Sequence, residues 1–458
     1  MRPRSAQLAQ ALSAGALLAL GTGCGSGSGS QSTPAPATNV LVVVLDDWGV
    51  DMFAPAGVHP DAPALPVLEG LANEGVYFAH AYAAPTCSPT RSQILTGRYS
   101  FRTGIGEPIA QWQSVPALAF DEVTLAEVLE SAAPRPVATS AIGKWHLGSL
   151  AVGDADHPNL QGFDWFEGTL GNLFFGQRYD DYTKVTNGVS QTSTVYATTE
   201  QVDDALERIA AMPQPWLMCL AFNAPHQPFH APPASLHSYA LSGDPNATPN
   251  AHYKAAMEAL DTELGRLLDS MPAAVRANTT ILVIGDNGTP NEAVTPPAVD
   301  GQNKGSLFEG GVRVPLIVAG KHVAQPGRTS DALVHSVDLF ATVAELFDTD
   351  FRAGVGDARP IDSVSFAELL RDPSAPPTRA DLFHERFSPN GPGPYVGRGW
   401  MLRNERWKLI RREGQADMFY DMQGLDLEGP ALDLGALDFE QQAAYDALVM
   451  RLAAVLGS

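Results

Sequence analysis

Two acidic pairs each follow an apolar, β-branched run: Asp46-Asp47 after residues 40–45, and Asp286-Asn287 after residues 280–284. Three carboxylates and an amide, with no cysteine or histidine in the set, make an oxygen-only donor group that suits a hard divalent cation better than zinc. Taken singly, an acidic pair at a strand end is usually a helix cap or a solvated loop. Two such pairs in a chain that also carries Cys87, Arg91, Lys144, His146, His226 and Lys304 shift that balance. A lone lysine is normally solvated and a lone histidine normally structural. Several cations fixed around a bound metal would instead stabilise negative charge developing in a transition state, with the histidines moving protons.

The segments carrying these residues follow known patterns. Cys87-Ser88-Pro89-Thr90-Arg91-Ser92, followed by Leu95-Thr96-Gly97-Arg98, resembles the sulfatase signature Cys-x-Pro-x-Arg. Gly143-Lys144-Trp145-His146-Leu147-Gly148 matches a second sulfatase motif residue for residue, and Ala224-Pro225-His226-Gln227-Pro228 resembles a third. The segment Lys304-Gly305-Ser306-Leu307-Phe308-Glu309-Gly310-Gly311-Val312-Arg313-Val314-Pro315 resembles a fourth. All stand in family order, and the resemblance runs from Asn39 to about Leu434.

The resemblance implies a specific chemistry. A maturation enzyme, which reads Pro89 and Arg91, would oxidise Cys87 to Cα-formylglycine, and one hydroxyl of the aldehyde hydrate would attack sulfur. Asp46, Asp47, Asp286 and Asn287 would bind calcium, magnesium in some members, together with an oxygen of modified Cys87. Asp286 would accept the nucleophile's proton, and Arg91 would orient the hydrate. Lys144, His226 and Lys304 would bind the sulfate, with His226 protonating the departing alcohol. His146 would then take the proton of the second hydroxyl and so release sulfate. Two departures from the family pattern fall at positions expected to serve packing: Leu65 to Ala72 in place of Thr-Pro-x-Ile-Asp-x-Leu-Ala, and Gly285 where serine is usual.

The elements that must hold these residues are legible as alternating patterns. Strands are expected at 40–45, 137–142, 216–222, 280–284 and 314–318, and helices at 66–74, 124–131 with Thr124 as N-cap, 198–211, 253–268 and 337–346. That order predicts an α/β fold, a doubly wound, mostly parallel central sheet with helices on both faces, whose functional groups gather beyond the carboxyl ends of the strands. After the Pro-rich stretch 371–377, short strands at 380–385, 399–403, 407–411 and 417–421 and a helix at 440–456 predict a small C-terminal α+β subdomain with an antiparallel sheet. The expected division is a catalytic domain over 39–370 and this subdomain over 371–458. Loops 171–191, 236–250, 289–302 and 387–397 are expected to wall the pocket. Their aromatics Phe174, Phe175, Tyr179 and Tyr182 either stack on a substrate ring or serve packing.

Residues 1–23 read as a signal peptide, with Arg2 and Arg4 ahead of an apolar run, 8–20, that is too short to span a bilayer. Small residues before Cys24 and a Gly/Ser/Pro tether over 24–38 resemble a lipoprotein signal in which Cys24 becomes the lipidated first residue. Simple cleavage is the competing reading. Either one exports the protein, to the periplasm or the outer surface, with a lipid anchor to the membrane in the first case. The formal charge of −22 excludes a nucleic-acid partner, which would require a basic face, and demands a local cluster of cations if the substrate is anionic. Cys87 and Cys219 as a disulfide is the plain alternative for the signature cysteine, and the processing motif argues against it.

These readings converge on an exported sulfatase that hydrolyses aryl or carbohydrate sulfate esters. A phosphonate monoester or phosphodiester hydrolase of the same superfamily is the second reading. A non-catalytic binder of sulfated glycans, retaining Cys87 as a thiol, is the third.

Overall fold

The unbroken run Val40 to Leu45 forms a strand buried at every position, β1 (Asn39–Leu45), because both of its faces are covered. Val40, Val42 and Val44 join one core cluster, and Leu41, Val43 and Leu45 the other. The computed structural model describes residues 38–174, 176–241 and 243–457. The expected signal, Cys24 and nearly all of the tether lie outside the described residues, as does Phe175.

The main sheet contains β1, β2 (Gly75–Tyr82), β3 (Ala138–Lys144), β4 (Trp165–Thr169), β5 (Tyr182–Thr186), β6 (Val189–Ser193), β7 (Trp216–Ala221), β8 (Thr279–Gly285), β9 (Leu316–Gly320) and β10 (Arg328–His335). Its order is β10-β2-β9-β8-β1-β7-β3-β4-β5-β6. The centre, β8-β1-β7-β3-β4, is parallel throughout, as a doubly wound, mostly parallel sheet requires. Helices Pro66–Asn73, Ala197–Ala211 and Pro249–Ser270 bury Leu68, Val202 and Leu260 on one face. Helices Cys87–Thr96, Leu125–Ala132 and Asp338–Leu346 bury Leu95, Leu129 and Phe340 on the other. Each fully buried side chain of this size contributes about 1.5–3 kcal/mol. Thr124 does cap its helix: its hydroxyl accepts from the Glu127 amide at 3.3 Å while the Glu127 carboxylate accepts from the Thr124 amide at 2.9 Å.

The sheet departs from expectation at four places, the first being β4, where no strand was expected. β9 begins two residues later than expected and runs antiparallel to both β8 and β2. The chain leaves β8 at Gly285 and returns to the same rim, pairing Ile284 with Leu316 without a crossover helix, so the return must be antiparallel. Strands β2 and β10 were not expected, since small and polar residues interrupt one and dominate the other. The stretch 171–191, expected as loop, contains β5 and the start of β6, joined by Asn187-Gly188 with φ of 45° and 81°. Asn-Gly between strands is the standard two-residue hairpin signal and would have revealed it.

The C-terminal sheet is antiparallel, in the order β11 (Asp381–Ser388), β12 (Val396–Asn404), β13 (Trp407–Arg412), β14 (Met418–Asp421). The helix Phe439–Leu456 packs on it, capped by Asp438. Buried charges join it to the main sheet. Lys408 Nζ reaches Glu309 Oε1 at 2.7 Å and Glu428 Oε1 at 2.6 Å, and Arg403 reaches Glu309 Oε2 at 3.1 Å.

Candidate active site

Parallel strands deliver their carboxyl ends to one rim. Asp46 follows β1, Asp286 follows β8, Lys144 ends β3, and His226 lies in the loop after β7. Cys87 is the first residue of the helix Cys87–Thr96, behind Thr86 as N-cap, so its side chain sits where backbone N–H groups are unpaired. Cys87, Asp46, Asp47, Asp286, Asn287, Lys144, His146 and His226 are all buried.

The acids and cations interlock. Asp46 is paired with Lys144 and lies 3.9 Å from an Arg91 nitrogen. Arg91 donates from Nε and Nη2 to Asp286 Oδ2 at 3.1 and 2.7 Å, and from Nη1 to the Lys144 carbonyl at 2.7 Å. The Asp47 amide donates to Asp286 Oδ1 at 3.0 Å, and Asp47 Oδ1 accepts from Asn287 Nδ2 at 2.7 Å and from Lys304 Nζ at 2.5 Å. Burial alone would push the Asp47 carboxyl up, yet Lys304 and His226 outweigh it and hold it below its ordinary range. Asp286 goes the other way, pushed up by burial and by Asp46 despite Arg91.

Three oxygens are left over. Asp46 Oδ1, Asp47 Oδ2 and Asn287 Oδ1 are buried with no hydrogen-bond partner. Ligand atoms of Asp46, Cys87 and Asp286 lie within 4.8 Å of one another, as do those of Asp46, Asp47 and His226. Buried oxygens left without donors are costly unless a cation takes them up. An oxygen donor set with these orphans fits a hard divalent ion.

The histidines present distinct faces. His146 Nε2 lies 2.9 Å from the Ile109 carbonyl and must carry its proton there, which leaves Nδ1 buried and unpartnered, with its lone pair free. His226 Nδ1 likewise donates to the Gln227 carbonyl at 2.7 Å, turning Nε2 toward Asp47 Oδ2, 3.9 Å away. Burial first, then neighbouring cations (Lys144 and Arg91 for His146, Lys304 and Lys144 for His226), push both rings well below the ordinary imidazole range. Burial pushes the Cys87 thiol up, so the unmodified cysteine is a neutral thiol and a weak nucleophile.

Supporting residues escaped the sequence reading. Ser88 and Thr90 occupy the variable positions of the signature, yet each ties the helix to the rim. Ser88 Oγ donates to the His146 carbonyl at 2.8 Å and accepts from the Ile109 amide at 3.0 Å, while Thr90 Oγ1 donates to the Asp286 carbonyl at 2.6 Å. Tyr253 donates to the Asp47 carbonyl at 2.7 Å. That bond helps hold Asp47 at φ 71°, and His146 also sits at positive φ, 61°. Non-glycine residues there store about 1–3 kcal/mol each, which the surrounding bonds must over-determine.

Two aromatics weighed as stacking groups serve the scaffold. Tyr179 is buried with its single O–H shared between the carbonyls of Asn223 and His226, 2.6 and 2.8 Å away, and Tyr182 is buried against Glu200. Phe174 meets the His226 ring edge-on at 5.4 Å. Cys87 and Cys219 are both free thiols. Gly285 has a steric reason: a Cβ there would lie 2.1 Å from the Trp48 carbonyl.

Comparison with known proteins identifies the family and the fold. The family model described as Sulfatase matches residues 38–349. Arylsulfatase G of Homo sapiens is 28% identical over 431 residues, covering 82% of this chain and 76% of that protein. N-acetylgalactosamine-6-sulfatase of Sus scrofa is 28% identical over 344 residues, covering 67% and 62%. The crystal structure of Ps i-CgsB in complex with k-i-k-neocarrahexaose superposes with a TM-score of 0.76 at 21% identity, covering 91% of this chain and 92% of that one, a likeness of fold.

Proposed function

The chain belongs to the sulfatase family and is a sulfuric ester hydrolase, and from that premise we propose that it cleaves aryl or carbohydrate sulfate esters with a formylglycine made from Cys87 and a bound divalent cation, calcium first. The observation that carries this reading is the meeting of three orphaned oxygens, on Asp46, Asp47 and Asn287, with Cys87 at a helix N-terminus. The formylglycine hydrate would supply the attacking hydroxyl, and the cation would lower its pKa and neutralise a sulfate oxygen.

This chain's residues do the rest. Asp46, Asp47, Asp286 and Asn287 hold the cation, and Arg91 fixes Asp286 through its two bonds to Oδ2. Asp286, its carboxyl already raised by burial, accepts the first proton. Lys144 and Lys304 neutralise charge on the sulfuryl oxygens. His226 Nε2 faces the leaving group, and the entering anion raises its proton affinity, so that it can hold and then donate a proton to the departing oxygen. His146 Nδ1 takes the second hydroxyl's proton, as its unpartnered lone pair allows.

We place the enzyme outside the cytoplasm on the strength of the signal-like residues 1–23, with Cys24 as the site of a lipid anchor. Maturation then requires a formylglycine-generating partner. The test is to express the protein with and without such an enzyme, weigh the Cys87 peptide, and compare turnover of phenyl sulfate with phenyl phosphonate. An aldehyde or hydrate mass with sulfate turnover supports the reading. An unmodified thiol in both preparations overturns the mechanism, and preferred phosphonate turnover reassigns the substrate.

A further inference from the structure

Lys304 marks the side on which the site opens. Its side chain keeps 20% exposure, against 7% for His226 and 0% for Lys144. The residue next to it, Gly305, is clamped between the two parts of the fold. Its amide donates to the Pro85 carbonyl at 2.8 Å, two residues before Cys87, and its carbonyl accepts from Arg386 Nη1 at 2.6 Å.

Arg386 belongs to β11 of the C-terminal sheet. It pairs in register with Gly399 of β12, which in turn pairs with Arg412 of β13. Residues directly opposite one another in an antiparallel sheet share a face, so Arg386 and Arg412 stand on one face, two strands apart, about 10 Å. That face meets the segment carrying Lys304: a Cβ on Gly399 would lie 3.1 Å from Leu307, and the Arg412 guanidinium sits 5.5 Å from the Phe308 ring centroid.

Among the described residues, the charge of Arg386 has no acidic partner. Of the other arginines of this region, Arg379 pairs with Asp338, Arg406 with Asp421 and Arg411 with Asp417, while Arg398 and Arg412 lie over aromatic rings. Among the described residues, no carboxylate lies within ion-pair distance of Arg386, which is exposed and uses only Nη1. In a chain of formal charge −22, an exposed arginine without an acid beside a lysine of the site is a specific local feature. Its open nitrogens form the planar fork that suits a sulfate or carboxylate.

We propose that Arg386, with Arg412 beside it on the same face, binds a second anionic group on the alcohol part of the substrate. The preferred ester is then a polyanionic saccharide and not a simple aryl sulfate. This rests on sulfate-ester hydrolysis at the site described above.

The test compares wild type, Arg386→Ala and Arg386→Lys, matured, on phenyl sulfate, a monosulfated hexosamine, the same sugar disulfated, and a monosulfated disaccharide bearing a carboxylate. Binding of the same sugars to the calcium-loaded thiol form is measured by calorimetry. Arg386→Ala should lower kcat/KM for the substrates with a second anion about tenfold, as loss of a charged hydrogen bond would. Turnover of phenyl sulfate should stay within about twofold, and Arg386→Lys should recover part of the loss. The disulfated and carboxylated arms show which anion is preferred. Equal losses on all substrates, or none on any, overturn the proposal. Failure to cleave any ester counts against the sulfatase mechanism, and the binding arm then decides on Arg386 alone: weaker binding of the dianionic sugars by Arg386→Ala supports it, and unchanged binding overturns it.

Discussion

Arg91 donates from two nitrogens to a single oxygen of Asp286, Oδ2, which leaves Oδ1 to accept from the Asp47 amide. One guanidinium thus fixes both the strand-end acid and, through it, the neighbouring pair. The same arginine also ties down Lys144 through its carbonyl at 2.7 Å.

Arg91→Lys keeps the charge but cannot span Asp286 Oδ2 and the Lys144 carbonyl together. The expected outcome is a drop in calcium affinity and kcat of about 10–100-fold, the usual effect of losing a residue that orients metal ligands. Calcium titration by calorimetry and steady-state turnover of phenyl sulfate check it. Unchanged calcium affinity would place Arg91 outside the support of the metal site.

Gly285 predicts the opposite of what family likeness suggests. Serine is the usual residue before the Asp-Asn pair, yet here a Cβ would approach the Trp48 carbonyl to 2.1 Å. Trp48 directly follows Asp46-Asp47, so Gly285→Ser must displace the metal-binding turn or β8. Stability should fall by about 1–3 kcal/mol in urea unfolding, with weaker calcium binding. A neutral substitution would mean that the Trp48 turn yields without cost.

That contrast marks where sequence legibility ended. Most of the parallel centre could be read because β1, β7 and β8 are built on apolar runs and β3 holds Ala141 and Ile142 between small residues, and the acids that end β1 and β8 fell on one rim for the same reason. β2 and β10 were not legible, because their pairing depends on distant neighbours more than on their own residues. Ser88 and Thr90 were invisible as support residues, since a hydroxyl's partner lies far away in sequence: His146 is 58 residues from Ser88, and Asp286 is 196 from Thr90. Arg386 gave no signal either, for its meaning comes from lying against Gly305, 81 residues away.

Acid should destabilise the protein through its buried histidines. Burial pushes His157 and His230 down to about 4 and His384 to about 3. Unfolded, each would titrate near about 6.5. Between the two values the unfolded chain binds more protons, so stability is full above about pH 6.5 and is lost as pH falls toward about 4, by about 1.4 kcal/mol per pH unit per histidine. At His157 the geometry acts in the same direction as burial: Nδ1 accepts from Trp145 Nε1 at 2.9 Å, and a proton there would face another donor. Urea midpoints measured from pH 8 to 4 should fall steadily below pH 6.5. A flat profile would mean that these rings titrate normally in the fold.

The buried cluster around Glu309 should hold the C-terminal sheet in place. Glu309 accepts from Lys408 at 2.7 Å, Arg403 at 3.1 Å and Tyr82 at 2.6 Å, and its carboxyl is held far below the ordinary range: burial opposes this, and Lys408 and Arg403 override it. Removing one partner leaves buried charge uncompensated, whereas removing both takes out one positive and one negative charge together and leaves Arg403 and Glu428 as the opposite charges of the cluster. Lys408→Met should therefore destabilise the fold by about 3–5 kcal/mol, while Lys408→Met with Glu309→Gln should cost less than the sum of the two single changes. A double-mutant cycle by urea unfolding measures the difference. Additive losses would show that Lys408 and Glu309 act independently and that apolar contacts such as Phe308 with Tyr420, centroids 6.4 Å apart, hold the junction instead.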